Sequence, residues 1–289
     1  MKLDSLLYRI AALVTFGACG VLAAFAAPAP TLSGITAPGG FLLSPTRIVL
    51  GGAQRTAQLT LLNNGSEPAV YRLSLIRMRM GADGRLEEIA QPDSGESFAD
   101  TLVRFSPRQV ELEPNVAQTV RFQLRAPADL PAGEYRSHLL IRAVPRTLAA
   151  PSAPDSAAGG GVSIQLTPIY GAAIPLIVRQ GSTAATVAVE RPALLAATAD
   201  QPARVACELT RSGTRSVYGD VIVTLAPHSG KKRQIGRVNG VAVYTPNQVR
   251  RVEVPIEAPA RGERGRVEVR FEESGAGHGP VASAAIALD

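Results

Sequence analysis

The stretch LSPTRIVLGGAQRTAQLTLLNNG, residues 43–65, reads as two apolar β-segments joined through Gly51 and Gly52, with Arg47 in the middle of the first. Leu59 and Leu61 alternate with Gln58 and Thr60. That period of two puts one face of a strand in a core and the other in water. An arginine inside an opening strand needs a reason, because a guanidinium carries five donors and is costly to bury without acceptors.

The same alternation recurs outward from this stretch. Tyr71, Leu73 and Leu75 alternate with Arg72 and Ser74, and Val120, Phe122 and Leu124 with Arg121, Gln123 and Arg125. Asn63-Asn64-Gly65, Asp83-Gly84 and Pro131-Ala132-Gly133 mark turns between such segments. Strand-like segments about ten residues apart with almost no helical spacing predict an all-β antiparallel sandwich. The second half repeats the pattern at Val187 and Val189; Val205, Cys207 and Leu209; Val221, Val223 and Leu225; Val252, Val254 and Ile256; and Val267, Val269 and Phe271. Two domains are therefore expected, 41–180 and 181–289, joined by the tight segment 179–183. Residues 145–161, rich in Ala, Pro, Ser and Gly, hold too little to bury and are expected to form a mobile loop.

Lys2 and Arg9 precede the apolar run 10–27, closed by Ala24, Phe25 and Ala26, the pattern of a cleavable signal peptide over 1–27. The run is short for a membrane span and has no basic stop-transfer cluster after it, so no stable membrane insertion is expected. A flexible segment, 28–40, follows. Cys207 is then the single cysteine of the exported protein, and its alternation with Val205 and Leu209 reads as a buried small hydrophobe. A formal net charge of +6, from arginines scattered along the chain, argues against nucleic acid and leaves room for an anionic contact.

Catalytic patterns are missing. His138, His228 and His278 have no metal-type spacing, and there is no G-x-S-x-G elbow or Walker loop. Ser229-x-x-Lys232 lies in the polar turn HSGKKR without the partner motifs of its enzyme class. Glu87 and Glu88 are adjacent, which in a strand sends them to opposite faces. No enzyme activity, cofactor or metal is expected.

LSPTRIVL, FSPRQVELEPNVAQTVRFQLRAP at 105–127, LPAGEYRSHLLIRAVP at 130–145 and IPLIVRQG at 174–181 resemble, in order and spacing, the PapD-like periplasmic chaperones of bacterial pilus assembly. The second half matches less closely, with Arg211-Ser212-Gly213-Thr214 where the family usually has an Asn-Pro turn. The resemblance implies two immunoglobulin-like β-sandwich domains in an L-shaped, boomerang arrangement. It implies a periplasmic chaperone that binds a pilus or fimbrial subunit lacking its last strand, lends it a strand, and delivers it to an outer-membrane usher. A different class, a non-chaperone surface or pilus subunit, would carry its own donor extension at the mature N-terminus, for which 29–41 is a poor candidate.

Site residues follow from the same resemblance. Arg47 takes the place of the arginine that binds the subunit's C-terminal carboxylate, a role that suits a planar bidentate donor. The lent strand would be 162–180, with Val162, Ile164, Leu166 and Tyr170 filling the subunit's groove and Ile174, Leu176 and Val178 in the chaperone's own core. The family's second anchor, a lysine, falls on Pro175, leaving Arg142 and Arg136 as candidates to replace it. Glu134, Arg179 and Glu263 stand where the family has an interdomain salt bridge.

Overall fold

The computed structural model describes residues 35–37, 40–145, 170–275 and 281–288. The expected signal peptide, the loop after Pro145, His278, and the donor positions Val162, Ile164 and Leu166 lie outside them. Among the described residues there is no helix.

The first half comprises β1 (Ile35–Ala37), β2 (Phe41–Ser44), β3 (Ile48–Gly51), β4 (Thr56–Asn63), β5 (Ala69–Ile76), β6 (Met78–Met80), β7 (Leu86–Glu88), β8 (Val103–Ser106), β9 (Gln109–Leu112), β10 (Ala117–Leu124), β11 (Gly133–Val144) and β12 (Gly171–Gln180). One sheet has the order β1-β2-β4-β10-β8 and the other β3-β12-β11-β5-β9, with β6 and β7 as a separate hairpin. The two larger sheets close on one core that includes Phe41, Leu59, Leu61, Tyr71, Phe122, Leu139 and Leu176. Phe41 meets Tyr71 edge-on, their centroids 5.3 Å apart.

The second half comprises β13 (Ala185–Leu195), β14 (Arg204–Gly213), β15 (Val217–Pro227), β16 (Arg233–Val243), β17 (Val249–Pro255), β18 (Gly265–Glu273) and β19 (Val281–Leu288). Its sheets, β13-β14-β17 and β16-β15-β18-β19, enclose a second core of Val205, Leu209, Val221, Val223, Leu225, Val254, Val269 and Phe271. Cys207 is buried in it, and burial raises the thiol to about 11, so it packs as a hydrophobe.

Two expectations change. The opening β-segment is not one strand: at Ser44-Pro45-Thr46 the chain leaves the first sheet and re-enters the second as β3. Pro45 has no N–H to continue a ladder, so the break falls there. Within the segment expected to be flexible, residues 35–37 form an edge strand antiparallel to β2, with Ile35 opposite Leu43. β2, at the end of its sheet, offers an edge that this short piece can cover.

β3 runs parallel to β12, pairing Ile48–Gly51 with Leu176–Arg179. Gly51, at φ 146°, is required there, since a Cβ would lie 2.1 Å from the Arg179 carbonyl oxygen. Past β12 the chain turns through Gly181, at φ 67°, where a Cβ would meet the Ala132 Cβ at 2.9 Å.

The two sandwiches meet through both polar and apolar groups. The Glu134 side chain has no solvent exposure. Its Oε2 accepts from Arg179 Nε at 3.0 Å, and its Oε1 accepts from the Ser216 N–H at 3.1 Å and from the Ser216 hydroxyl. The β6–β7 hairpin adds the Met80 carbonyl, which accepts from Asn247 Nδ2 at 2.6 Å, and the Ala82 carbonyl, which accepts from the Arg251 N–H at 2.8 Å. Met80, Ile177, Ala242 and Tyr244 form a small apolar cluster beside them.

This corrects the expected three-residue bridge. Glu134 and Arg179 face each other on neighbouring strands of the first sandwich, and the link to the second sandwich runs through Ser216. Glu263 is not part of it: it pairs with Arg233 Nη1 at 2.6 Å and accepts from the Ala260 N–H at 2.9 Å, within its own sandwich. A carboxylate at a turn takes the nearest donors.

Replacing Glu134 by Ala should cost about 3 kcal/mol, because it leaves the Ser216 donors buried without an acceptor. Melting of Glu134→Ala, alongside proteolysis at 179–185, is expected to show lower stability and faster cutting. Glu263→Ala should leave the cutting rate at wild-type level.

Candidate functional site

Arg47 lies where β2 changes sheet, just before β3, and so projects at the boundary between the sandwiches. Its Cζ sits 4.7 Å from the ring centroid of Tyr218 and 5.9 Å from that of Tyr244, both from the second sandwich. Arg136 of β11 stacks on the same Tyr244 ring at 4.4 Å. His138, two residues along β11 and therefore on the same face, meets Tyr244 edge-on at 6.1 Å and lies 3.4 Å from Arg136 Nη1 through its Nδ1. Arg136, His138 and Tyr244 are all buried.

The electrostatics are one-sided. Burial pushes the Arg136 guanidinium below its ordinary range. Burial, with the charges of Arg136 and Arg47 added, lowers His138 to about 3, so the ring is neutral at physiological pH. Since Arg136 donates to Nδ1, the ring proton belongs on Nε2. Among the described residues, the buried donors that lack an acceptor include three here: Arg47 Nη1, Arg136 Nε and His138 Nε2. The carboxylates that could serve are engaged elsewhere, Glu134 with Arg179 and Ser216, and Glu96 with Arg79. Buried donors left without acceptors on two cations are groups that an anion can satisfy, and a carboxylate matches a guanidinium fork.

A strand lane leads into this cleft. β11 pairs with β12 along its whole length, but β3 covers the other side of β12 only from Leu176 onward. Residues 171–175 therefore have no strand on that side among the described residues. The Ala143 N–H donates to the Tyr170 carbonyl at 3.0 Å, which places even-numbered residues in the bonds to β11. Gly171, Ala173 and Pro175 direct their backbone groups outward. Pro175, opposite His138, lacks only an N–H that would have pointed to this vacant edge, so the sheet tolerates it. A chain in the vacant lane would be collinear with β3 and end at Arg47.

Of the residues singled out from sequence, Arg47 and Arg136 come together in the cleft. Arg142 does not: it is exposed, opposite Arg72 on β5. Tyr170 is 41% exposed just before β12, while Ile174, Leu176 and Val178 are in the core. Tyr218, Tyr244 and the role of His138 were not foreseen. The tyrosines come from the other sandwich, and alternation within a strand carries no signal of such a contact.

No family model matches the chain, and no curated protein does. Solved structures that align with it include the YadV chaperone (TM-score 0.44, 14% identity, covering 86% of this chain and 99% of that one). The E. coli chaperone DraB aligns with TM-score 0.44 and 14% identity, over 85% of this chain and 95% of that one. A chain of the CsuC–CsuE chaperone–tip adhesion subunit pre-assembly complex from Csu pili of Acinetobacter baumannii aligns with TM-score 0.43 and 13% identity, over 86% and 97%.

The buried histidine sets a pH dependence. Unfolded, it titrates near 6.5. Between that value and about 3 the unfolded chain binds a proton that the folded one refuses, so stability is complete above about 6.5 and falls as pH drops through the window, by up to roughly 1.4 kcal/mol per unit. Denaturant melts near neutrality and at about pH 5 should show a shallower loss in His138→Gln than in wild type. An equal loss in both would assign the acid sensitivity to other groups.

Proposed function

We propose that this chain is a periplasmic chaperone for pilus or fimbrial subunits that works without nucleotide. The observation that carries the reading is the vacant edge of β12 running into the unpaired donors of Arg47 and Arg136. A subunit that lacks a strand exposes an apolar groove between unpaired edges, an aggregation hazard that a lent strand removes. Val162, Ile164, Leu166 and Tyr170 are the groove-filling positions of that strand. Its far end, 171–175, gives the subunit a backbone to pair with.

The reading also implies a direction. A segment that leaves its C-terminal carboxylate at Arg47 must run parallel to β12, as β3 does beyond it. Arg136 supplies the second cation, in place of the lysine that Pro175 displaces, with His138 Nε2 within the same group of orphan donors. Release needs no nucleotide where a better-fitting strand replaces the lent one, and handover to an outer-membrane usher completes the cycle. Glu134, Arg179 and Ser216 tie the two walls of the cleft together.

Arg47→Ala should leave the fold intact and weaken subunit capture. Truncation leaves a terminal carboxylate desolvated and unpaired, a loss of roughly 2 to 5 kcal/mol, or about 30-fold to several thousand-fold in affinity. The measurement is co-purification of a co-expressed subunit with wild-type and Arg47→Ala protein, with melting curves in parallel. Capture should also slow amide exchange at Gly171 and Ala173, whose N–H groups face the vacant lane. A variant that melts and captures like wild type, with no change in exchange, would refute the reading.

A further inference from the structure

A second cationic surface lies on the first sandwich, on the sheet that does not contain β12. Arg104 of β8 is directly opposite Gln123 of β10, and Arg121 of β10 is opposite Ser106 of β8 on one side and Gln58 of β4 on the other. Arg125 continues the line, its N–H donating to the Leu102 carbonyl at 2.7 Å and its Nε to Gln123 Oε1 at 3.1 Å. Phe105 and Phe122 point inward and are buried, so the alternation turns all three guanidinium groups outward around Gln123, and all three residues are exposed. The diagonal spacing across such a pair is about 7–8 Å, within reach of one acidic segment.

The charge is uncompensated. None of β4, β8 and β10 contains an Asp or Glu. Among the described residues none of the three arginines has an ion-pair partner, whereas on the second sandwich Arg215, Arg233, Arg237 and Arg270 each hold a carboxylate. A cavity of about 460 Å³ opens beside Arg104 and Arg121, lined also by Thr56 and Gln58. Beside it, β8 is the last strand of its sheet and pairs only with β10.

We infer that this face binds an acidic, extended segment of a partner protein, laid along the open edge of β8 with its carboxylates on Arg104, Arg121 and Arg125. A strand edge supplies backbone donors and acceptors for an added chain, and three guanidinium forks on one side of it select for alternating acids. The site is separate from the cleft at Arg47 and does not depend on what that cleft binds. An anionic lipid surface would use the same charge but not the strand edge.

The test uses a fluorescently labelled peptide of five Glu-Thr repeats, its Gln-Thr counterpart, and phosphatidylglycerol vesicles. Anisotropy should show saturable binding of the acidic peptide alone, weakening as salt rises. R104Q/R121Q/R125Q should weaken it by roughly tenfold or more, the combined effect of three exposed ion pairs, without a change in melting. R72Q/R142Q, which removes an exposed cationic pair from the other sheet, should leave it within about twofold. Bound peptide should slow amide exchange in Val103–Ser106. Equal loss in both variants, no binding at all, or co-sedimentation with vesicles without peptide binding would overturn the assignment and leave these arginines as solvated charges that keep an edge strand from self-pairing.

Discussion

A guanidinium taken out of water beside a second one, with no carboxylate between them, costs free energy that the rest of the fold has to offset. Arg47 and Arg136 stand in that relation, sharing the face of Tyr244. The aromatic ring is the compensation available: its negative face attracts both cations without neutralising either. Neighbouring elements supply the remaining stability. Ile177 and Met80 pack against Tyr244, and Glu134 ties Ser216 and Arg179 together at the base of the interface. Because Ser216 Oγ also accepts from the Thr245 N–H at 3.0 Å, the backbone that carries Tyr244 is tied to the same carboxylate. Interface and cleft are therefore one mechanical unit.

Much of the fold is legible in sequence because its cause is local. A period of two with turn residues between segments specifies β4, β5 and β10 within a few residues each, and the second sandwich reads in the same way at β14, β15 and β18. The chain passes from the first pair of sheets to the second through the short connection between β12 and β13. Arg47 stands out because it interrupts an apolar run. What alternation could not supply was the consequence of Pro45. A missing N–H ends one ladder, but only the position of β12 tells where the chain goes next.

The parts of the site that sequence did not reveal are long-range. Ser216 lies 82 residues from Glu134, and nothing in the sequence around it distinguishes it from other turn serines. Tyr244 follows an apolar strand end and reads as ordinary core. His138 drew attention only as a failed metal ligand, yet its surroundings leave it neutral with one donor free. Glu263 misled for the opposite reason: a carboxylate in a plausible place finds Arg233 and a turn N–H close by, within its own sandwich.

Pro175 links the edge to the cleft. A lysine there would have put a third cation near Arg47 and Arg136, on a flexible stem able to follow an anion over several ångströms. Proline removes that freedom and a ladder donor together, so the outward edge of β12 offers one fewer backbone N–H at this point, near planar forks and a neutral imidazole. Position then matters more than charge. A fork binds both oxygens of a carboxylate only over a narrow range of angles, and Arg136 is held in place by its stack on Tyr244. On the reading proposed above, a chain one residue too long or too short would leave its carboxylate outside that range and swap which side chains face each side of the sheet. Arg136 is stacked on Tyr244, Arg47 lies over Tyr218 and Tyr244, and β3 starts one residue past Arg47, so the uncovered part of the β12 edge stops at a fixed point.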